Sequence, residues 1–256
     1  NKVIKEVKTL TENGYQEIVL TGIHTGNYGV DLKTNFANLL KELVKIEKLK
    51  RLRISSIEVT ELNDAVLEVI KSNKVIVDHL HIPLQAGSDE ILKAMNRKYN
   101  LDYYKNKIKQ IRSIRPDISI STDIIVGFPG EDEKLFEQTL KTAQSIAFSK
   151  IHVFPYSIRK NTKAASMPNQ VDGKIKKERA KRLIELSKEL EIEYMNKFVG
   201  KTVEVLTENN KDDITYGHTG NFLHVKINKV LPNDLLKMVK ITSVSYPYVI
   251  GELIDE

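Results

Sequence analysis

The sequence has no cysteine and no tryptophan, and none of its apolar runs is long enough to cross a bilayer. Without cysteine, the chain forms neither a disulfide nor a thiolate metal site, and it has no thiol nucleophile. The first residues, Asn1-Lys2-Val3-Ile4-Lys5, do not have the composition of a signal peptide. They open directly in a helical pattern without an initiator methionine, so we expect the sequence to be a piece of a longer protein.

The charge is moderately basic, with 40 lysines and arginines against 34 acidic residues and a net charge of +6. This balance favours an acidic partner such as nucleic acid, but a lysine-rich surface without such a partner has the same net charge. The 256 residues are enough for one barrel-sized domain, or for a larger and a smaller domain. Nothing in the composition indicates an extracellular protein, and we expect a cytoplasmic one.

Five apolar runs each end in a polar or glycine-rich segment, and a helical pattern follows most of them. We predict strands at Glu17–Thr21, Arg51–Ser55, Asp78–Pro83, Ile118–Val126 and Lys150–Pro155. The runs look apolar on both faces, as buried parallel strands are, and the alternation with helices implies right-handed βαβ units. Because parallel sheets bind ligands at the carboxyl ends of their strands, we expect the chemically active residues to lie on one side of the sheet.

Five strands are few for a closed barrel, so we predict an α/β fold with a partial, TIM-like barrel of parallel strands. The strand pattern alone does not separate this fold from a doubly wound sheet. A long charged helix is predicted from about Lys174 to Phe198. The segments after Gly200 alternate in polarity and predict a small antiparallel all-β barrel. We place the two domains at residues 1–198 and 199–256.

Several long motifs in a fixed order resemble a known family. RLRISSIE, HLHIPLQAGSDEILKAMNRKY, TDIIVGFPGE and KIHVFPYS are similar to the radical S-adenosylmethionine (SAM) methylthiotransferases of the MiaB and RimO type. The tail, with VEVL, YGHTGNFLHVKI, VKIT and VIGELI, resembles the TRAM domain, a small RNA-binding barrel that those enzymes carry. The serines of RLRISSIE and the segment Asn96-Arg97-Lys98-Tyr99 are most similar to the MtaB branch.

The resemblance implies a transferase that adds a methylthio group to C2 of N6-threonylcarbamoyladenosine beside the tRNA anticodon. It implies SAM and two [4Fe-4S] clusters as cofactors, and an electron donor such as flavodoxin or ferredoxin as a partner. The family binds its catalytic cluster through a CxxxCxxC loop after the first barrel strand. This sequence has no cysteine, so we expect a fragment that lacks the first strand and its cluster loop and is inactive by itself.

The resemblance and the strand-end positions together assign a set of SAM-binding residues. In this superfamily, backbone carbonyls after the second barrel strand touch the cofactor's amino group, and that strand corresponds to the first strand predicted here. Hydroxyl and carboxylate groups suit the cofactor's ribose and ammonium group. Asp123 is the best single candidate, because a carboxylate inside an apolar strand must be paired or must face a polar interior. The set is Thr21, Gly22, Ser55, Ser56, Glu58, Gln85, Asp123 and Gly127. Turn formation and helix capping are the structural alternatives for these residues.

Two further groups are assigned to the substrate. Arg97 and Lys98 would neutralise a carboxylate of the cofactor or of the threonylcarbamoyl group, or they are merely favourable charges at a helix C-terminus. Basic and aromatic residues beyond the last strand and in the tail would bind single-stranded RNA. These are Arg159, Lys160, Lys201, Tyr216, His218 and Lys226. Phe222 is better interpreted as a core aromatic residue.

Two smaller interpretations concern histidine and serine. His79 and His81 share one strand face and could bind a metal, but no third ligand is evident, so we predict hydrogen-bonded barrel residues and no metal site. Ser88 is predicted as a helix N-cap. Three alternatives to the main function stay open at this point: a fragment that only binds RNA, a barrel lyase or hydrolase with Asp123 and Glu58 as acid and base, and a MiaB- or RimO-type modifying enzyme.

Overall fold

The computed structural model describes residues 2–254, so that Asn1, Asp255 and Glu256 of the predicted domains lie outside the described residues. The helices are α1 (Lys2–Glu12), α2 (Phe36–Leu43), α3 (Asp64–Ser72), α4 (Asp89–Ala94), α5 (Leu101–Ile114), α6 (Glu133–Ile146) and α7 (Gly173–Asn196). The first five strands are β1 (Glu17–Leu20), β2 (Arg51–Ile54), β3 (His79–His81), β4 (Ser119–Val126) and β5 (Lys150–Pro155). They are followed by β6 (Thr202–Lys211), β7 (Ile214–Thr219), β8 (His224–Ile227), β9 (Leu236–Ser245) and β10 (Tyr248–Leu253).

The first five strands are parallel and lie in chain order. β1 pairs with β2, and β3, β4 and β5 form a second ladder. Isolated parallel bridges from Leu52 to Ile76 and from Ser56 to His81 join the two ladders. The predicted partial barrel of parallel strands is confirmed.

The two faces of this sheet differ, and the expectation that both are apolar is wrong. Alternate residues such as Leu52, Ile54 and Leu80 are fully buried in the main hydrophobic core, against the helices. The residues between them are mostly polar and form what we call the polar face. It comprises Glu17, Val19, Arg53, Ser55, His79, His81, Ser119, Ser121, Asp123 and His152. The polar face borders a cavity instead of a helix layer, so the burial that favours apolar residues acts on one side only.

Asparagine and aspartate side chains fix several helix starts by accepting hydrogen bonds from the first free amides. Asn63 caps α3, Asn100 caps α5 and Asp132 caps α6. The Asp132 cap explains why α6 begins at Glu133. Ser88 occupies the predicted N-cap position of α4, but its side chain makes no capping hydrogen bond.

The second unit is a closed barrel of five strands in the order β10-β8-β7-β6-β9, which confirms the small all-β barrel. Four of the pairings are antiparallel as predicted, but β8 and β10 are parallel. Its core contains Val205, Val225, Val239, Ile241 and Val249, all fully buried. The end of α7 contributes Tyr194 and Met195 to this second core. The proposed division between residues 198 and 199 falls between the end of α7 and the start of β6. Among residues 2–254, no helix has the length and apolar character needed to cross a membrane.

Candidate cofactor and RNA sites

The chain segment after β3 is held tightly against β4, and it places Gln85 at the end of the sheet. The Thr122 hydroxyl donates to the Ile82 carbonyl and accepts from the Leu84 amide, both at 2.8 Å. Gln85 then bridges to β4 through its amide and carbonyl, with a backbone φ of +70°. The buried Tyr99 hydroxyl donates to the Leu84 carbonyl at 3.1 Å, and burial raises the pKa of this phenol. Hydrogen bonds within the protein therefore hold the Gln85 backbone in place without a ligand.

A cavity of about 740 Å³ lies between the polar face and one side of the small barrel. Ser55 and Ser56 of the predicted SAM set line it, together with the first residues of β1, β3, β4 and β5, so the cavity extends to the amino ends of the strands and not only to the predicted carboxyl ends. The small barrel contributes Asn221, Phe222 and His224 to the opposite wall. The volume is large enough for a small organic ligand. Both units of the chain therefore shape the candidate site.

A chain of hydrogen bonds runs across the polar face. The Ser121 hydroxyl lies 3.1 Å from His79 Nε2 and 2.9 Å from His81 Nδ1. His81 Nε2 lies 3.3 Å from Asp123 Oδ1, and the His152 ring is the next neighbour, 5.6 Å from the His81 ring. Burial and the nearby positive charge of Arg53 lower the pKa of His79 to about 3, so this imidazole is neutral. The prediction that His79 and His81 are hydrogen-bonded barrel residues is confirmed, and Asp123 is paired as expected.

Gln85 and Asp123 do not line this first cavity but line a second one, of about 390 Å³. Arg159 of the predicted RNA set and Tyr156 lie in the same wall. The Tyr156 hydroxyl is buried and has no hydrogen-bond partner within the described part of the chain. An unpartnered buried hydroxyl favours a site for a polar ligand here.

Glu58, Arg97 and Lys98 lie together in a third pocket, of about 380 Å³, beyond the end of β2. Arg97 Nη1 is 3.1 Å from Glu58 Oε1, so these two predicted residues neutralise each other. Lys98 is exposed, and its Nζ lies 3.3 Å from the uncharged Asn96 side chain. Glu58 is thereby separated from Ser55 and Ser56, which line a different cavity.

The remaining predicted SAM residues line none of these three cavities. Thr21 and Gly22 are exposed after β1, and the Gly22 carbonyl accepts from Thr25 Oγ1 at 3.3 Å. The Gly127 amide donates to Glu131 Oε1 at 2.7 Å, so it is already satisfied inside the protein. A side chain at Gly127, which has a φ of +73°, would lie 2.1 Å from Lys176 Cγ. The Gly127 turn therefore packs against α7.

The small barrel presents an aromatic–basic patch, which we define as Tyr216, His224, Lys226 and Tyr248. Lys226 Nζ lies 4.2 Å from the centre of the Tyr248 ring and 5.7 Å from that of Tyr216. The two tyrosine rings are 5.5 Å apart. Half-exposed aromatic rings beside a cation can stack on bases and neutralise phosphate. Tyr248, on the last strand, was not evident from the sequence.

The structure places the other predicted RNA residues differently. Arg159 and Lys160 are exposed in the loop after β5. Lys201 Nζ lies 3.2 Å from Asp117 Oδ2, so its charge is partly neutralised. Phe222 does not belong to the barrel core: it is 41% exposed, has a φ of +66° and stacks on His79.

His218 is buried in the contact between the two units, next to His224 across the β7–β8 pair. Its two ring nitrogens lie 3.1 Å from Glu17 Oε2 and 2.9 Å from Glu208 Oε1. Glu17 also binds Arg53 Nε at 2.6 Å, and Arg51 donates to the carbonyls of Glu204 and His218. We therefore remove His218 from the RNA surface and assign it to a buried ion network. This network fixes the orientation of the small barrel on the sheet.

Comparison with known proteins agrees with this architecture. The Radical SAM superfamily matches residues 1–143, which is more than half of the chain. The chain belongs to the radical SAM superfamily. A structural neighbour, the coproporphyrinogen III oxidase HemN of Escherichia coli, described as a radical SAM enzyme, covers 80% of this chain and 50% of its own with a TM-score of 0.51. At 14% sequence identity it supports the fold alone.

Curated relatives are much more similar in sequence. The chain is 42% identical over 262 residues to the threonylcarbamoyladenosine tRNA methylthiotransferase MtaB of Bacillus subtilis, covering 99% of this chain and 58% of the relative. It is 41% identical over 260 residues to a tRNA-2-methylthio-N(6)-dimethylallyladenosine synthase of Thermoanaerobacter pseudethanolicus, covering 99% of this chain and 55% of the relative. The chain thus spans a little more than half the length of these relatives.

The residues present fit one of the two cofactor types that the superfamily implies. The cavity beside the polar face has the size and the hydroxyl groups that a nucleoside cofactor such as SAM requires. An iron–sulfur cluster needs thiolate ligands, and the sequence contains no cysteine. These 256 residues therefore cannot hold a cluster in the family manner.

Proposed function

We propose that the intact protein is a radical SAM methylthiotransferase that adds a methylthio group to C2 of N6-threonylcarbamoyladenosine beside the tRNA anticodon. The observation that carries this proposal is the 42% identity to MtaB over 99% of the chain, on a radical SAM fold. The 41% identity to the dimethylallyladenosine synthase is nearly as high. Overall identity therefore supports tRNA methylthiolation but does not separate the two substrates.

The third pocket favours the threonylcarbamoyl substrate. This group has a carboxylate, whereas a dimethylallyl group is a hydrocarbon. In the pocket the Glu58 carboxylate neutralises Arg97 and leaves the Lys98 ammonium group available to an incoming anion. An exposed lysine can form a charge-assisted hydrogen bond to a carboxylate. We assign Lys98 to the substrate carboxylate and Arg97 to its support.

The small barrel supplies the proposed contact with RNA. Its aromatic–basic patch suits the unpaired bases of an anticodon stem-loop. Arg159 and Lys160 extend the positive surface next to the cavity that contains Asp123. We assign phosphate contacts to these lysine and arginine side chains and stacking to Tyr216 and Tyr248.

The proposed cofactors follow from the family. Bound SAM supplies the radical that activates C2 and the methyl group of the product, and we place it against Ser55, Ser56 and the polar face. Two [4Fe-4S] clusters, held by cysteines outside this sequence, and an electron donor such as flavodoxin or ferredoxin complete the proposed enzyme. Because its substrate is tRNA, we place the reaction in the cytoplasm.

The experiment is mass spectrometry of nucleosides from tRNA of source cells with and without the gene. We expect deletion to remove the methylthio group from threonylcarbamoyladenosine and to accumulate the unmodified nucleoside. Complementation with Lys98→Ala should restore at most about one tenth of the methylthiolated nucleoside, because a charged hydrogen bond is lost. Lys93→Ala is the matched control, since Lys93 is exposed at the end of α4, five residues before Lys98, but does not line the pocket.

Two other outcomes of this experiment would contradict the proposal. Loss of the methylthio group from dimethylallyladenosine instead would identify the second substrate and contradict the role of Lys98. An unchanged nucleoside profile would refute tRNA methylthiolation. In that case modification of a protein and RNA binding alone are the functions to test next.

A further inference from the structure

Three side chains with metal-binding atoms converge on the polar face from three adjacent strands. They are His81 on β3, Asp123 on β4 and His152 on β5. Asp123 and His152 are direct neighbours in the parallel register. One ligand atom from each residue lies within 4.8 Å of the others. Of the pair His79 and His81 considered from the sequence, only His81 takes part, and the two other ligands come from neighbouring strands.

The types of ligand and their spacing suit a divalent transition metal. Two imidazoles and one carboxylate are a frequent set of protein ligands for zinc and other first-row ions. Two ligands about 2.0 Å from a tetrahedral zinc ion lie roughly 3.3 Å apart. His81 Nε2 and Asp123 Oδ1 are already separated by 3.3 Å. Only His152, which is exposed and free to change rotamer, has to move closer.

The ring nitrogen of His81 that faces away from Asp123 also has a hydrogen-bond partner, as is usual for a metal-binding histidine. Its Nδ1 atom is 2.9 Å from the Ser121 hydroxyl, and His79 holds that hydroxyl from the other side at 3.1 Å. Such a contact fixes the ring and directs Nε2 toward Asp123. The Asp123 carboxylate is only partly exposed, at 28%, and has no lysine or arginine partner among the described residues. Its negative charge is therefore available to a cation.

The site is open on one side. His81 and His152 line the cavity of about 740 Å³, through which an ion and a further ligand can enter. Three protein ligands with an open position are typical of metal sites that bind an exchangeable ligand.

We propose that His81, Asp123 and His152 bind one divalent transition-metal ion of the zinc class, with an open coordination position toward the cavity. This site requires no cysteine and is distinct from any iron–sulfur cluster. Its test does not depend on the proposed methylthiotransferase activity, because the chain would bind the ion without SAM, cluster or tRNA.

The test is titration of the purified chain, freed of metal by a chelator, with Co²⁺ and Zn²⁺ at neutral pH. We expect one ion per chain by calorimetry, with a Co²⁺ visible spectrum typical of a site with nitrogen and oxygen ligands. His152→Gln and Asp123→Asn should each weaken binding by about tenfold or more. His224→Gln is the matched control, because His224 lines the same cavity from the small barrel but lies outside the three-residue cluster.

The proposal is overturned if the unaltered chain binds neither ion, or if His224→Gln weakens binding as much as His152→Gln does. It is also overturned if both cluster variants bind like the unaltered chain. Since His152 is exposed, His152→Gln should keep the fold, which circular dichroism checks without metal. If Asp123→Asn does not fold, the result for His152→Gln decides. Zinc should raise the melting temperature of the unaltered chain and leave that of His152→Gln nearly unchanged.

Discussion

Removal of the Glu17 carboxylate tests the buried ion network that joins the sheet to the small barrel. Burial alone would raise the pKa of this carboxyl, but hydrogen bonds from His218 and Arg53 outweigh burial and lower it from 4.5 to about 2. A shift of this size corresponds to about 3 kcal/mol of stability at neutral pH. Loss of one partner from a buried ion network costs a similar amount, about 3–5 kcal/mol. We therefore expect Glu17→Gln to lower the free energy of unfolding at pH 7 by about 3 kcal/mol.

The pH dependence gives this prediction a second, independent part. A depressed carboxyl pKa stabilises the fold fully above the unfolded value of 4.5, and this stabilisation is lost as the pH falls toward 2. The difference between the unaltered chain and Glu17→Gln should therefore be largest at pH 6–7. It should shrink steadily as the pH is lowered below 4.5.

Urea unfolding followed by far-UV circular dichroism measures both parts, and Glu204→Gln is the control. Glu204 Oε1 lies 3.1 Å from Arg51 in the same contact, but its side chain is 47% exposed. An ion pair this accessible to water contributes less than about 1 kcal/mol. Equal effects of the two substitutions would refute the argument from burial. A Glu17→Gln effect that persists unchanged at pH 3 would refute the argument from the pKa.

Two further predictions use the same measurements. Burial lowers the pKa of His218, but its two carboxylate partners outweigh burial and raise it. The contribution of His218 to stability is therefore complete below pH 6.5 and declines as the pH rises through the folded-state pKa. Between pH 6 and 9, the melting temperature should therefore fall less for His218→Gln than for the unaltered chain. Gly127→Ala should cost at least about 1 kcal/mol more in urea unfolding than Gly130→Ala, because both residues have positive φ but only Gly127 is covered by Lys176. Equal costs would contradict this packing argument.

The order and type of the elements were predictable because they depend on local patterns. The strand at Lys150–Pro155 agrees with the prediction at both ends, and the strand after Asp78 differs by one residue at its start and two at its end. The role of Glu131, in contrast, could not be predicted from the neighbouring sequence. The sequence allows it to begin α6, but the carboxylate turns inward to the buried Arg179 side chain at 3.0 Å. That partner lies on a distant helix, so no local pattern reveals it.

Residues of the candidate site were predictable only where their position within one strand determines their role. The strand-end serines line the cavity, and Asp123 has the polar partner that its position demanded. His152 was missed because its importance depends on the register between β4 and β5. Phe222 was missed because its positive φ turns the ring out of the barrel core toward His79. The roles of His152 and Phe222 both depend on contacts between distant segments, and the residue pattern of a single strand does not reveal such contacts.

The distribution of the basic residues shows why net charge was weak support for an RNA partner. Arg51, Arg53 and Arg179 are buried and hydrogen-bonded within the protein, and Lys201 is paired with Asp117. These cations contribute to the formal charge of +6 but are not available to phosphate. The stronger argument is the placement of Lys226 beside two partly exposed tyrosine rings, because stacking and charge act there together. The proposed RNA surface thus depends on a local geometry that the composition does not contain.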